Sequence, residues 1–210
     1  MAMSVTLKYH PFSRAAGVVW QLEEVGCAYT LDYVEMTKGE HKQPPLKSLN
    51  TMGKIPTLVD GDVVVTEAAA IGLYLADRYS LGELAPAPDD PTRGTYLRWS
   101  FYAPSVIEPG CMAKSANWEF NPGSAGFGTY EEMLDTISMA IGEGPWLLGE
   151  RFTMADVIFG GTVSWMTMFG MLDKRDEYMA YVERLNARPA SARARAINDR
   201  IVEEKGLKRG

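Results

Sequence analysis

The sequence predicts an α+β domain followed by an all-helical domain, and three observations carry that expectation. Strand, helix and strand patterns follow one another between Val5 and Val34, and a β-hairpin and a helix follow between Thr57 and Tyr79. A stretch from Leu81 to Pro91, with Pro86, Pro88 and Pro91, then interrupts the pattern as a linker does. Beyond it only helical periodicity recurs. The 210 residues suffice for two small domains, read as 1–80 and 92–210 with 81–91 between them.

Val5 to Tyr9 is a short strand of alternating character, and His10, Pro11 and Phe12 form the turn that leaves it. Ser13 is a residue type suited to capping a helix start. Val18, Val19, Leu22 and Val25 mark the buried face of the helix that follows, and Gly26 ends it. A second strand runs from Ala28 to Val34 with Tyr29, Leu31 and Tyr33 in alternation, which completes a right-handed βαβ unit. Glu35 to Met52 is a polar loop broken by Pro44-Pro45.

The next stretch, from Gly53 to Ser80, organises the rest. Thr57 to Val59 and Asp62 to Val65 read as strands around Asp60-Gly61, the signal of a type I′ hairpin. Pro56 opens the first strand, where proline has no N–H to give to a ladder. A cis Ile55–Pro56 bond there would turn the main chain of Ile55 outward, free to pair with a short extended peptide. Glu67 precedes a helix from about Ala68, whose Ile71, Tyr74, Leu75 and Tyr79 share a face. A carboxylate at a helix start is stabilised by the free amides.

In the second half, Thr92 to Ser115 is helical, with Pro104 and Pro109 expected to bend or end helices. Asn117 to Gly128 reads as a loop, and a helix resumes from Tyr130 to Ile141. Phe152-Thr153-Met154-Ala155-Asp156-Val157 has a Thr cap, an acid three residues on and a flanking hydrophobic pair, so Thr153 and Asp156 are expected to start a helix. Gly160-Gly161 within that helix implies close packing, because each glycine costs about 1 kcal/mol against alanine. Glu177 to Leu185 and Ala190 to Glu203 are closing helices.

Composition excludes several classes. The net charge of −6 and a pI near 5.1 argue against a nucleic-acid surface. No apolar run reaches the ~18 residues of a membrane span. The two histidines and two cysteines have no metal-ligand spacing, and no glycine-rich phosphate loop is found. The start lacks the apolar core of a signal peptide, and Cys27 and Cys111 lie far apart, so a reducing, cytoplasmic setting is expected.

The β-α-β, β-β-α order, Lys54-Ile55-Pro56, Glu67 and the capping motif at Thr153 to Asp156 together resemble the cytosolic glutathione transferases, serine-type and bacterial-like, over nearly the whole chain. The resemblance implies a thioredoxin-like first domain that binds glutathione as co-substrate, with no metal. It implies that Ile55, beside Pro56, pairs with the cysteinyl part of glutathione through its backbone. It further implies that Glu67 holds the γ-glutamyl end, and that His41, Lys42 and Lys54 neutralise the glycine carboxylate. Ala68 departs from the family, where serine is usual, so one hydroxyl contact is missing. The segment His10-Pro11-Phe12-Ser13-Arg14 resembles serine-type members, in which the serine activates the thiol. Hydrogen bonding to the thiolate and the helix dipole both lower a thiol pKa. Ser13 as a simple cap remains the alternative, with Tyr9 or Arg14 as thiolate donor. Tyr102, Ile107, Met112, Trp165 and Phe169 are the expected wall of an adaptable apolar pocket for the electrophile. The implied activity is transfer of the glutathione thiolate to a small electrophile, in detoxification, by a homodimer. A glutathione-dependent isomerase, peroxidase or reductase, or a non-catalytic binder, are the other readings. The lack of a cysteine at position 13 disfavours the disulfide-reducing version.

Overall fold

Alternation along the first strand decides where the core lies. In a computed structural model that describes residues 5–142 and 144–208, β1 (Val5–Tyr9) buries Val5, Leu7 and Tyr9 on one face. It pairs in parallel with β2 (Tyr29–Tyr33) and antiparallel with β3 (Thr57–Asp60), and β3 pairs antiparallel with β4 (Val63–Thr66). The sheet order is β2-β1-β3-β4. Helices α1 (Ala15–Val25) and α3 (Ala68–Tyr79) supply Val18, Val19, Leu22, Ile71 and Leu75 to the same core as Leu7 and Leu58. Gly26 ends α1 in the left-handed region, with φ +67°, as its position predicts. The loop expected over 35–52 contains two short 3₁₀ turns, Met36–Lys38 and Glu40–Lys42, and a one-turn helix α2 (Leu46–Leu49).

The hairpin turns one residue later than the sequence signal. Asp60 is the last residue of β3, and the loop is Gly61-Asp62, with Gly61 at φ +59° in the first central position, the pattern of a type II′ turn. The reason is Asp60 itself. Its carboxylate is buried and accepts from Tyr74 (2.8 Å) and Tyr79 (2.6 Å), with the Arg78 guanidinium at 3.4 Å, all from α3. Those donors hold the Asp60 carboxyl below its usual range against the desolvation that opposes them.

The chain forms two compact units, Met1–Tyr79 with Pro189–Gly210, and Ser80–Arg188. The sequence reading places the last helix with the helical domain. Here α9 (Pro189–Glu204) packs on α1, with Ala194 in the sheet core. Asn198 accepts the Tyr9 hydroxyl and donates to the Ala16 carbonyl, and Arg193 pairs with Glu23 at 2.6 Å.

In the second unit, the proline-rich stretch is tied to the helices that follow it. Arg151 reaches Asp90 (2.8 Å) and the Gly82 carbonyl (2.8 Å), and Met154 N–H donates to the Leu84 carbonyl (2.8 Å). Helix α4 (Arg93–Tyr102) runs through a π-helical stretch, Ala103–Ile107, into α5 (Glu108–Ser115). Pro104 and Pro109 therefore do not end the helix. A wider turn absorbs the N–H that Pro104 lacks. Helix α6 (Tyr130–Ile141) opens with a capping box of Thr129 and Glu132, absent from the sequence reading. Helix α7 (Met154–Met168) is largely buried and packs on α8 (Asp176–Asn186). Side chains of α8 lie so close over Gly160 that a Cβ there would stand 2.0 Å from Leu185 Cδ1 and 3.0 Å from the Tyr181 ring. No helix among the described residues is long and apolar enough to cross a membrane.

Candidate functional site

Strand register brings the sequence-distant segments to one end of the sheet. Tyr9 lies opposite Tyr33, Lys8 opposite Thr57, and Thr57 opposite Thr66. Four segments therefore leave the sheet at the same end: the turn at 10–14, the loop after Tyr33, the Ile55-Pro56 entry to β3, and Glu67 after β4. Ser13, His41, Lys42, Lys54, Ile55, Pro56, Glu67 and Ala68 all lie on them.

Ser13 is half-buried, two residues before α1. Arg14 already has helical angles (φ −59°, ψ −18°) and makes no side-chain cap bond, which leaves Ser13 in the capping position before it. Its hydroxyl serves the helix start. Oγ accepts from Ala15 N–H (3.1 Å) and donates to the His10 carbonyl (2.8 Å). Tyr9, the rival donor, is fully buried with its hydroxyl given to Asn198, and burial raises its pKa above that of a free phenol.

The Ile55–Pro56 peptide is cis. No hydrogen bond among the described residues engages the Ile55 main chain, whereas its neighbour is held firmly. The Lys54 carbonyl accepts from Asn50 Nδ2 (2.9 Å) and Thr57 Oγ1 (3.1 Å). Asn50 is buried and also accepts Met52 N–H (3.1 Å), a structural role the sequence reading did not give it, although it begins the Asn-x-x-Gly-Lys run.

Gly53 explains how the His41-Lys42 turn reaches this segment. With φ +56°, its missing Cβ would lie 2.6 Å from the His41 carbonyl oxygen and 3.1 Å from Lys42 Cδ. Only glycine permits that approach. Lys42 Nζ closes the contact on the Met52 carbonyl (2.9 Å), and the His41 Nδ1 is buried with no hydrogen-bond partner among the described residues. Gly53→Ala is therefore expected to displace the loop and to cost about 1–3 kcal/mol of stability for a left-handed non-glycine residue. Urea unfolding that shows no loss of stability would mean that the loop does not depend on this close approach.

Glu67 is exposed and left-handed, with φ +66°. Two bonds hold it there. Its carbonyl accepts Ile71 N–H (2.9 Å), and the next carbonyl, of Ala68, accepts the buried Gln21 Nε2 from α1 (3.0 Å). Gln21 was not among the expected site residues, since on α1 it reads as one more polar position.

The residues expected to face the electrophile divide within the helical unit. Tyr102 packs against Trp99 and Phe159 at ring distances of 5.5 and 6.3 Å. Ile107, at the end of the π-helical stretch, is fully buried, with no surface open to a ligand. Met112 and Phe169 are exposed, and the Trp165 ring packs tilted against that of Phe169 at 4.8 Å. Phe101, which the sequence reading passed over, is exposed as well.

Both cysteines are free. Burial pushes the Cys111 thiol up to about 12 and raises that of Cys27, so neither is a thiolate at neutral pH. Among the described residues no cluster of His, Cys, Asp or Glu could hold a metal ion.

Residues 3–77 match the family model of the glutathione S-transferase N-terminal domain, and residues 122–190 match that of the C-terminal domain. The chain belongs to the glutathione S-transferase family. Glutathione S-transferase F14 of Arabidopsis thaliana is 27% identical over 201 residues, covering 87% of this chain and 79% of that protein. The crystal structure of the glutathione transferase URE2P6 from Phanerochaete chrysosporium, in complex with oxidized glutathione, superposes with a TM-score of 0.76 at 25% identity, covering 95% of this chain and 98% of that one. A theta class glutathione S-transferase from Xanthomonas axonopodis pv. citri, with glutathione bound, gives a TM-score of 0.70 at 27% identity over 91% of this chain and 97% of the other.

Proposed function

We propose that this protein is a glutathione transferase that holds glutathione across the sheet end and transfers its thiolate to a small, mostly apolar electrophile. The observation that carries this is the register that delivers Ser13, Ile55-Pro56 and Glu67 to one end. Glutathione is an extended tripeptide with a carboxylate at each end. In this reading the free Ile55 main chain pairs with its central residue, and Glu67 and the start of α3 take the γ-glutamyl end. His41, Lys42 and Lys54 take the glycine carboxylate.

Ser13 acts on the sulfur. Its hydroxyl proton leaves the His10 carbonyl for the thiolate, while Oγ keeps the Ala15 N–H and the His10 carbonyl keeps the Ser13 N–H at 3.2 Å. The hydroxyl and the start of α1 then stabilise the anion before the electrophile arrives. Tyr102, Met112, Trp165 and Phe169, with Phe101, are the residues we assign to the electrophile wall. Glutathione consumption with a panel of electrophiles, peroxides and mixed disulfides tests the reading. Adduct formation is expected, and binding of glutathione without any turnover would leave a carrier instead.

Ala68 is half-buried with its carbonyl already taken by Gln21, so the γ-glutamyl carboxylate depends on helix-start amides. A hydrogen bond to a charged group is worth about 1.5–3 kcal/mol, so Ala68→Ser is expected to tighten glutathione binding about tenfold. Calorimetry showing equal or weaker affinity would mean a differently organised carboxylate site.

We also propose a homodimer and a cytoplasmic setting, where unpaired cysteines stay reduced and the activity serves detoxification. Val63 and Val64 are exposed on β4, the edge strand next to α3, and such an edge is normally covered. Light scattering at micromolar protein is expected to give twice the chain mass, and a monomer would remove this proposal.

A further inference from the structure

The turn between β1 and α1 is tied to a single residue. Pro11 has no N–H, and the next two main-chain N–H groups, of Phe12 and Ser13, both end on His10. Phe12 N–H donates to His10 Nδ1 at 3.1 Å, and Ser13 N–H donates to the His10 carbonyl at 3.2 Å. The Ser13 hydroxyl donates to that same carbonyl at 2.8 Å. His10 is 6% exposed, its ring set edge-on to Phe12 at 5.8 Å and tilted against Tyr33 at 5.4 Å.

An Nδ1 that accepts a hydrogen bond carries no proton, so the ring is neutral with its proton on Nε2. Burial lowers the His10 pKa and so favours that state, with the Glu35 carboxylate acting in the opposite sense. The charged and titratable groups around it are Glu35 and Tyr33, with the Lys205 ammonium over the Tyr33 ring at 4.6 Å. A side-chain acceptor bonded to the N–H two residues on is the arrangement asparagine makes in an Asx-turn. His10 makes it with a ring that also packs.

We propose that His10 is a positioning residue, whose neutral imidazole locks the turn so that the Ser13 hydroxyl stays where it can donate to the glutathione sulfur. The proposal rests on the reading of Ser13 as thiolate donor. Without the Nδ1 acceptor, Phe12 N–H is left unpaired in a part-buried turn, which relaxes to satisfy it and carries Ser13 Oγ away. Such a displacement weakens an interaction with the thiolate while leaving the groups that bind the peptide in place.

The test uses three variants of the full chain. His10→Phe keeps an aromatic ring against Tyr33 and removes the acceptor, and His10→Leu removes the acceptor with a smaller apolar side chain if the first does not fold. His10→Asn restores an acceptor for Phe12 N–H. The pKa of the bound glutathione thiol is read from thiolate ultraviolet absorbance, alongside kcat and KM. His10→Phe is expected to raise that pKa by about 0.5–1 unit and to lower kcat about three- to tenfold, with KM for glutathione within about twofold. His10→Asn is expected to stay within about twofold of the wild type on every count. If the phenylalanine and leucine variants lose only melting temperature and keep the bound-thiol pKa, or if asparagine is as impaired as they are, the proposal is overturned. Ser13→Ala in the same titration separates the two failures. An unmoved thiol pKa there removes the reading of Ser13, whereas a raised pKa in Ser13→Ala with none in His10→Phe removes only the role of His10.

Discussion

Ser13→Ala is expected to lower turnover with an electrophile about ten- to a hundredfold near neutral pH, through a rise of about one unit or more in the pKa of the bound thiol. The hydroxyl interacts with the anion and hardly with the neutral thiol, so glutathione affinity above the new pKa changes less. The structure sharpens the control. Oγ also accepts Ala15 N–H at 3.1 Å, so alanine removes a helix-start acceptor together with the thiolate donor. Ser13→Gly removes the same atom, but glycine is nearly as good at a helix start, within a few tenths of a kcal/mol. Both variants should lose activity equally if the thiolate is what matters. If glycine keeps wild-type rates and only alanine is impaired, Ser13 is a cap. The donor must then be sought at Arg14, since the Tyr9 hydroxyl is spent inside the core on Asn198.

What was legible in the sequence is what local chemistry dictates. Gly26, the alternation of Val5, Leu7 and Tyr9, and the Thr153-x-x-Asp156 cap each depend on neighbours within a few residues, and each forms as read. Asp60-Gly61 is a strong local signal that puts the hairpin turn one residue early. Tertiary donors from Tyr74 and Tyr79 outweigh it and draw Asp60 into the strand. Proline lacks an N–H, so Pro104 is expected to bend or end the helix, and the widened turn at Ala103–Ile107 lets the helix pass without ending. The last helix gave no local sign that it packs on α1, since Asn198 and Arg193 read as solvated polar residues until Tyr9 and Glu23 are brought beside them.

The candidate site shows the same division. Ile55, Pro56, Glu67 and the His41-Lys42 pair stand out because they sit in a spaced motif. The groups that hold them do not. Asn50 bonds the carbonyl of Lys54, Gln21 bonds that of Ala68, and the His10 ring bonds Phe12 N–H, and in each case a polar side chain serves a backbone group. Such bonds leave no periodic trace and become visible only when the donors and acceptors of a turn are followed to their partners.

The largest stability effect is expected at Asp156, far from this chemistry. Its side chain is fully buried and accepts from Leu147 N–H (2.8 Å), Thr153 N–H (2.9 Å), the Tyr181 hydroxyl (2.8 Å) and the Thr153 hydroxyl (3.4 Å). Burial pushes its pKa up, and the four donors work against that shift. One carboxylate thus joins the start of α7, the preceding loop at Leu147 and α8 through Tyr181. Asp156→Ala leaves those donors unpaired in the interior, at about 1–3 kcal/mol for each orphaned group before relaxation. A net loss of about 3–5 kcal/mol is expected, a large share of the ~5–15 kcal/mol available to a native protein. Asp156→Asn keeps one acceptor oxygen but turns an amide toward N–H donors, so it should fall between alanine and wild type. Tyr181→Phe, which removes one donor and leaves the cap in place, should cost only about 1 kcal/mol. Urea unfolding of the three variants measures the series, and the asparagine form serves if the alanine form does not accumulate folded. A loss within 1 kcal/mol for Asp156→Ala, or a Tyr181→Phe cost as large as that of Asp156→Asn, would show that the cap does not organise this unit.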